Sequence, residues 1–341
     1  MNSAHLQPGD RVRFEGGQTF TDATLTPPAS GTAHRRIRFD SYGHGRATIA
    51  HDKVAVWFSG LHYVTFARLT LTTNNTDGAI LSGSPGAGSS YITIRRCVIK
   101  NSAGVGIQAP TEADSHWRIV RSWIFHTGDS GLILWGPRHV VARNRIVDTG
   151  WNSAIPWDKH GIYVKGSYAV IRGNVISRFQ ANGVSLRFAN ARVARNTIRN
   201  GQFGIAYFDF SKRSGTTRVL RNHVSKVRVG FYFSPEADRN DGSHPHENFV
   251  IEYNVFHSVG GVAADVIGAQ FSRLVFVRNV LKSDASVALR AASPSGGSYV
   301  EHDNRFDRPV LFEWNRMWIP YGSYRNASGQ GARDRFAGRS A

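Results

Sequence analysis

Lys165 and Arg187 each stand four residues beyond a glycine that opens the same alternating phrase, Gly161-Ile162-Tyr163-Val164 and Gly183-Val184-Ser185-Leu186. If those phrases are neighbouring strands in register, the two cations lie about 4.8 Å apart at the backbone. Like charges held so close cost stability unless an anion joins them. His160 and Tyr163 share the strand of Lys165, and Trp135, Phe208, Asn182 and Tyr232 hold matching positions in neighbouring phrases. Aromatic faces beside cations suit a sugar ring that carries a carboxylate.

The chemistry this set could do is β-elimination on a uronic-acid polymer. The carboxylate is neutralised, the weakly acidic proton beside it is removed, and the glycosidic oxygen leaves with a proton. Arg187 is the expected neutraliser. Lys165 is the expected base, since an adjacent guanidinium and partial burial both lower a lysine's pKa. Tyr163 or His160 donates to the leaving oxygen. Calcium could take the place of Arg187 if Asp158 or the loop acids Glu236, Asp238 and Asp241 converge. Two other readings stand beside this one. A glycoside hydrolase needs two carboxyl groups about 5–9 Å apart, which Asp158, Asp209, Glu236, Asp238 and Asp241 could supply. A non-catalytic adhesion or binding protein needs none, and then Lys165, Arg187 and Arg290 are solvated surface.

Such residues must be held by a repeating element. An apolar residue, a turn residue three steps on and an apolar residue two steps further recur at Leu69, Cys97, Ser122, Asn144, Asn174, Asn196, Asn222, Asn254, Asn279 and Asn304. Only Glu301 breaks the first apolar position. The remainder of each repeat has period two, which means strands with one face inside. The expected fold is all-β, a single-stranded right-handed parallel β-helix (solenoid) of about ten coils. Asn at the corner is expected to adopt a left-handed backbone and to bond to the Asn of the next coil. The longer coils carry insertions around Asp148 to Lys159, Phe208 to Thr216 and Ser234 to Glu247, with Trp157, Asp158 and Asp209 bordering the groove.

Residues 1–36 are expected to cap the first coil, 37–320 to form the β-helix, and 321–341 to be a loose C-terminal tail. Lys plus Arg exceed Asp plus Glu by 42 − 24 = 18, so the surface must attract polyanions. The partner is expected to be an acidic polysaccharide and the protein a monomer. No apolar run is long enough to span a bilayer, and no nucleic-acid-reading module is present. The single Cys97 excludes a disulfide within the chain and reads as a buried stand-in for Asn. No apolar signal segment follows Met1, so either the protein is cytosolic or its leader is not in this sequence; the expected location is outside the cell.

The chain resembles the pectate-lyase-like superfamily of right-handed β-helix proteins. The likeness rests on Leu6-Gln7-Pro8-Gly9-Asp10 with Gly16-Gly17-Gln18-Thr19-Phe20, on His160-Gly161-Ile162-Tyr163, and on the corners Arg143-Asn144, Arg195-Asn196 and Arg221-Asn222. It implies the fold for roughly nine tenths of the chain, and an activity among lyases, hydrolases, epimerases and binding proteins. The aspartate cluster with which pectate lyases hold calcium has no recognisable counterpart.

Overall fold

A computed structural model describes residues 2–83, 86–154, 159–188, 190–208, 215–234, 247–266, 272–285, 287–292, 297–308 and 310–337. The fold is the expected right-handed parallel β-helix, with about 11 turns. Among the described residues the one helix is α1, Tyr321–Ser328. None is long and apolar enough to cross a membrane. The chain divides into two compact units, Met1–Val175 and Ile176–Ala341.

In the first unit the coils from Ile37 to Lys165 have three strands each, and each strand pairs in parallel with its counterpart one coil away. The first strands run Arg11–Glu15, Ile37–Tyr42, Val64–Ala67, Thr93–Arg95, Arg118–Val120, Val140–Ala142 and Val170–Arg172. Their register lines up Phe39, Phe66, Ile94, Ile119, Val141 and Ile171. All six are fully buried. The second strands stack Ile49, Leu71, Ile99, Ile124 and Ile146 in the same way. Burying each such side chain stabilises by about 1.5–3 kcal/mol, and a one-residue slip would turn the whole row outward. The strand Arg11–Glu15 already pairs with the next coil, Val12 opposite Phe39, so residues before 37 contribute a first, shorter turn.

Glycine opens the third strands because the coils touch there. A Cβ on Gly131 would lie 2.7 Å from the carbonyl oxygen of Gly161 and 2.7 Å from Ile146 Cγ2. In the second unit a Cβ on Gly204 would lie 2.2 Å from Val224 Cγ1.

The interior ladder forms at the corner between first and second strands. In the first unit the amide of Cys97 donates to Ser122 Oγ (3.2 Å), that of Ser122 to Asn144 Oδ1 (2.9 Å), and that of Asn144 to Asn174 Oδ1 (2.9 Å). Cys97 is buried, and burial pushes its thiol up to about 11. The left-handed residue, however, is not the Asn. It is the residue before it: Arg68, Arg96, Arg121 and Arg143 have φ of 55°, 53°, 53° and 58°. The turn is made by an outward side chain, which frees the Asn to keep its amide inside.

The second unit continues the pattern with Val193, Val219, Ile251, Phe276 and then Glu301 in one inward row. Its ladder runs Asn196, Asn222, Asn254, Asn279, Asn304, and ends where the amide of Asn304 donates to Asp334 Oδ1 (2.7 Å). The composition of residues 321–341 suggests a loose wrap, but α1 lies against this end with Tyr324 fully buried. The Tyr324 ring stacks on Phe312 at 4.5 Å, and its hydroxyl donates to Glu301 Oε2 (3.2 Å). Glu301 breaks the apolar rule because it belongs to this cap.

Candidate active site

Two groups of the expected residues assemble, one in each unit. In the first, the strand Leu132–Trp135 pairs with Ile162–Lys165, placing Ile133 opposite Tyr163 and Trp135 opposite Lys165. Leu132, Leu134, Ile162 and Val164 point inward and are buried, while Trp135, Tyr163 and Lys165 are partly exposed. The alternation is the one read from the sequence. Lys165 Nζ lies 4.1 Å from the centroid of the Trp135 ring and 5.4 Å from that of Tyr163. These are the distances of a cation–π contact.

His160 sits behind this surface. Its ring centroid is 4.9 Å from that of Tyr163 at 58°, its backbone amide donates to Ser130 Oγ (2.9 Å), and the residue is 1 % exposed. Lys159, which reads as half of an ordinary turn pair with Asp158, is buried, and its ammonium donates to the carbonyl of Asn152. Trp135 is anchored from below: His139 Nε2 donates to its carbonyl, and His139 Nδ1 accepts from the amide of Trp117 (3.3 Å). Burial holds the His139 pKa down to about 4, which keeps the ring neutral and able to fill both roles.

In the second unit the Arg187 guanidinium carbon lies 4.4 Å from the centroid of Phe208, and the residue is 8 % exposed. Tyr232 packs against Phe203 at 4.9 Å and Phe208 at 6.2 Å. Asn182 pairs in register with Phe203 and is buried. Ser185, although on the outward alternation, is also buried. Trp157, Asp158 and Asp209 lie outside the described residues, as do Glu236, Asp238 and Asp241. Among the described residues no three His, Cys, Asp or Glu side chains gather as a metal site.

One constellation escapes sequence reasoning. Arg290 is partly exposed but not merely solvated: Nη1 donates to Asp265 Oδ2 (2.9 Å) and Nε to Glu313 Oε2 (2.7 Å). Asp265 and Glu313 are both buried. They occupy neighbouring coils on either side of Arg290, a separation in sequence that carries no motif. The guanidinium compensates two carboxylates that would otherwise be costly to bury.

Residues 130–304 match the family described as right handed beta helix region. Among curated proteins, none matches the sequence. Several solved structures share the fold. A mannuronic acid specific polysaccharide family 6 lyase from human gut microbiota is 16% identical with a TM-score of 0.58, over 97% of this chain and 87% of that one. Pectate lyase Pel9A is 15% identical with a TM-score of 0.55, over 76% and 70%. The A-module of the Azotobacter vinelandii mannuronan C-5 epimerase AlgE4 is 13% identical with a TM-score of 0.52, over 97% and 90%.

Proposed function

This chain belongs to the right handed beta helix region family, and from that premise we propose that it acts on an acidic, uronate-containing polysaccharide as a β-eliminating lyase. The observation that carries the proposal is the lysine seated on two aromatic faces, Lys165 on Trp135 and Tyr163, with His160 buried behind. A cation on an aromatic floor suits a pyranose ring with a carboxylate at its edge. The printed names of the three similar structures, two lyases and an epimerase of uronate polymers, agree with that class.

The surroundings of Lys165 alter the division of labour expected from sequence. In this reading Lys165, over its two rings, neutralises the substrate carboxylate. Proton transfer falls to Tyr163. As its phenolate, Tyr163 takes the proton beside the carboxylate and becomes the phenol; the pair left on carbon forms the new carbon–carbon double bond, the bond to the glycosidic oxygen breaks, and the Tyr163 hydroxyl gives its proton to the departing oxygen, which restores the phenolate. His160 is a positioning residue acting through Tyr163. In the second unit Arg187, with Phe208, Tyr232 and Asn182, is proposed to contact polymer carboxylate and sugar. Action outside the cell as a monomer belongs to the same proposal.

The test is incubation of the purified protein with a panel of uronate polymers while ultraviolet absorbance is followed. Absorbing, unsaturated products are expected. New reducing ends without absorbance would replace the lyase by a hydrolase, and binding without turnover would replace both by a polymer-binding protein.

A further inference from the structure

The left-handed corners of the first unit raise a question that the catalytic proposal does not absorb. A left-handed backbone is unfavourable for an L-residue, and glycine occupies the equivalent corner at Gly173 (φ 64°). Four successive corners nonetheless carry arginine: Arg68, Arg96, Arg121 and Arg143, all exposed. Each is tied in place by its own amide, which donates to the carbonyl of Arg95 (3.2 Å), Val120 (3.1 Å), Ala142 (3.1 Å) and Arg172 (3.0 Å) respectively. The side chains therefore repeat at the coil spacing, about 4.8 Å.

Beside this row the outer surface of the first sheet forms a shallow groove of about 220 Å³. Its lining is Arg95, Arg96, Arg118, Arg121, Arg143 and Arg172, with only Val120 and Ala142 between them. Among the described residues, none of these six arginines pairs with a carboxylate. Their field reaches their neighbours. The Arg36 guanidinium is held below its usual pKa by burial and by Arg118, and that of Arg38 by burial and then, despite Asp40, by Arg95, Arg11 and Arg68.

We propose that this arginine groove is a second polymer-binding track, separate from the third-strand surface of Lys165, that grips one linear polyuronate chain by its carboxylates. The choice of polymer rests on the proposed activity; the groove does not. Guanidinium forks match carboxylates in a bidentate manner, and a linear polyuronate carries one carboxylate on each sugar along its length. Nucleic acid fits less well. Phosphates of one duplex strand rise about 3.4 Å each along the helix axis while the strand winds around it, out of step with a straight row. Single strands need open aromatic faces, whereas the aromatic residues at the other edge of this sheet are stacked on one another, Tyr63 on Tyr91 at 4.6 Å and Tyr91 on His116 at 4.5 Å.

The experiment measures affinity of the full chain for a polyuronate, a neutral glucan and duplex DNA at graded salt. It compares the wild type, Lys165→Ala, and the triple variant Arg96→Asn/Arg121→Asn/Arg143→Asn. Asn keeps the left-handed corner accessible. Arg118→Gln/Arg172→Gln serves as a second variant that leaves the corners untouched. The expected result is a loss of polyuronate affinity of about tenfold or more in both multiple variants, with a shallower salt dependence, and no binding of the glucan. Both arginine variants are compared again in the Lys165→Ala background, which removes a group of the other surface; the same loss of affinity is expected there, so failure of the lyase proposal, read from turnover, and failure of the track, read from this difference, are distinguished. Unchanged affinity in both arginine variants, or tighter binding of DNA than of polyuronate through the same arginines, would overturn the proposal.

Discussion

Replacing Asn254 by Ala should cost the second unit about 3–5 kcal/mol. The Asn254 side chain is fully buried. Its Nδ2 donates to the carbonyl of Val219 (2.8 Å), to the carbonyl of Glu252 (3.1 Å) and to Asn279 Oδ1 (3.0 Å). Its Oδ1 accepts from the amide (2.9 Å) and the Nδ2 (3.0 Å) of Asn222. Each bond contributes about 0.5–1.5 kcal/mol net, and a buried group left without a partner costs about 1–3 kcal/mol. The bonds share donors and acceptors, so the sum falls short of five independent terms. The Asn222 amide and the Val219 carbonyl are the two groups that lose most. Against a typical total of about 5–15 kcal/mol, the loss should be plain in the midpoint of equilibrium urea unfolding. Asn254→Asp keeps the acceptor but turns a carboxylate toward the Val219 carbonyl and Asn279 Oδ1, and should be at least as destabilising at neutral pH. A loss below about 1 kcal/mol for Asn254→Ala would refute the claim that the ladder holds the coils in register.

Two further outcomes follow from buried titratable groups. Burial, and then Asp334, raise the Glu301 carboxyl well above its ordinary value. A raised folded-state pKa gives stability that is complete below the unfolded pKa and is lost as pH rises through the folded one. The thermal midpoint of the wild type should therefore fall as pH is raised above the ordinary carboxylate range, and Glu301→Gln should flatten that dependence; equal slopes in the two proteins would contradict it. The Cys97 thiol, buried with its pKa pushed up to about 11, should resist a maleimide reagent at neutral pH until denaturant is added, as followed by mass spectrometry, and rapid labelling of the folded protein would count against its place in the ladder.

The architecture was legible because its determinants repeat. Phe66, Ile94, Ile119 and Val141 recur at one phase and stack at one register, and Asn144 and Asn254 mark the corner they occupy. Gly131 and Gly204 are fixed by the approach of the next coil, which also leaves a period-two signature in the sequence. Trp135, Tyr163 and Lys165 could be placed together because strand alternation and coil registration were both readable. Sequence reasoning failed where one residue answers to distant partners. The left-handed backbone belongs to Arg143 and not Asn144, because the amide is worth more inside than at the bend. Glu301 announced itself as an irregularity, but its partners Tyr324 and Asp334 lie in a cap with no repeat to reveal it. Asp265, Arg290 and Glu313 form their network across coils with no shared motif.

The most direct measurement is the kcat/KM of Lys165→Ala on a polyuronate that the wild type converts to ultraviolet-absorbing product, with folding verified by an unchanged thermal midpoint. Loss of a cation that neutralises the carboxylate during proton removal predicts a fall of about 100-fold or more, equivalent to about 2.7 kcal/mol of transition-state stabilisation. A folded variant that retains the wild-type kcat/KM would contradict the account.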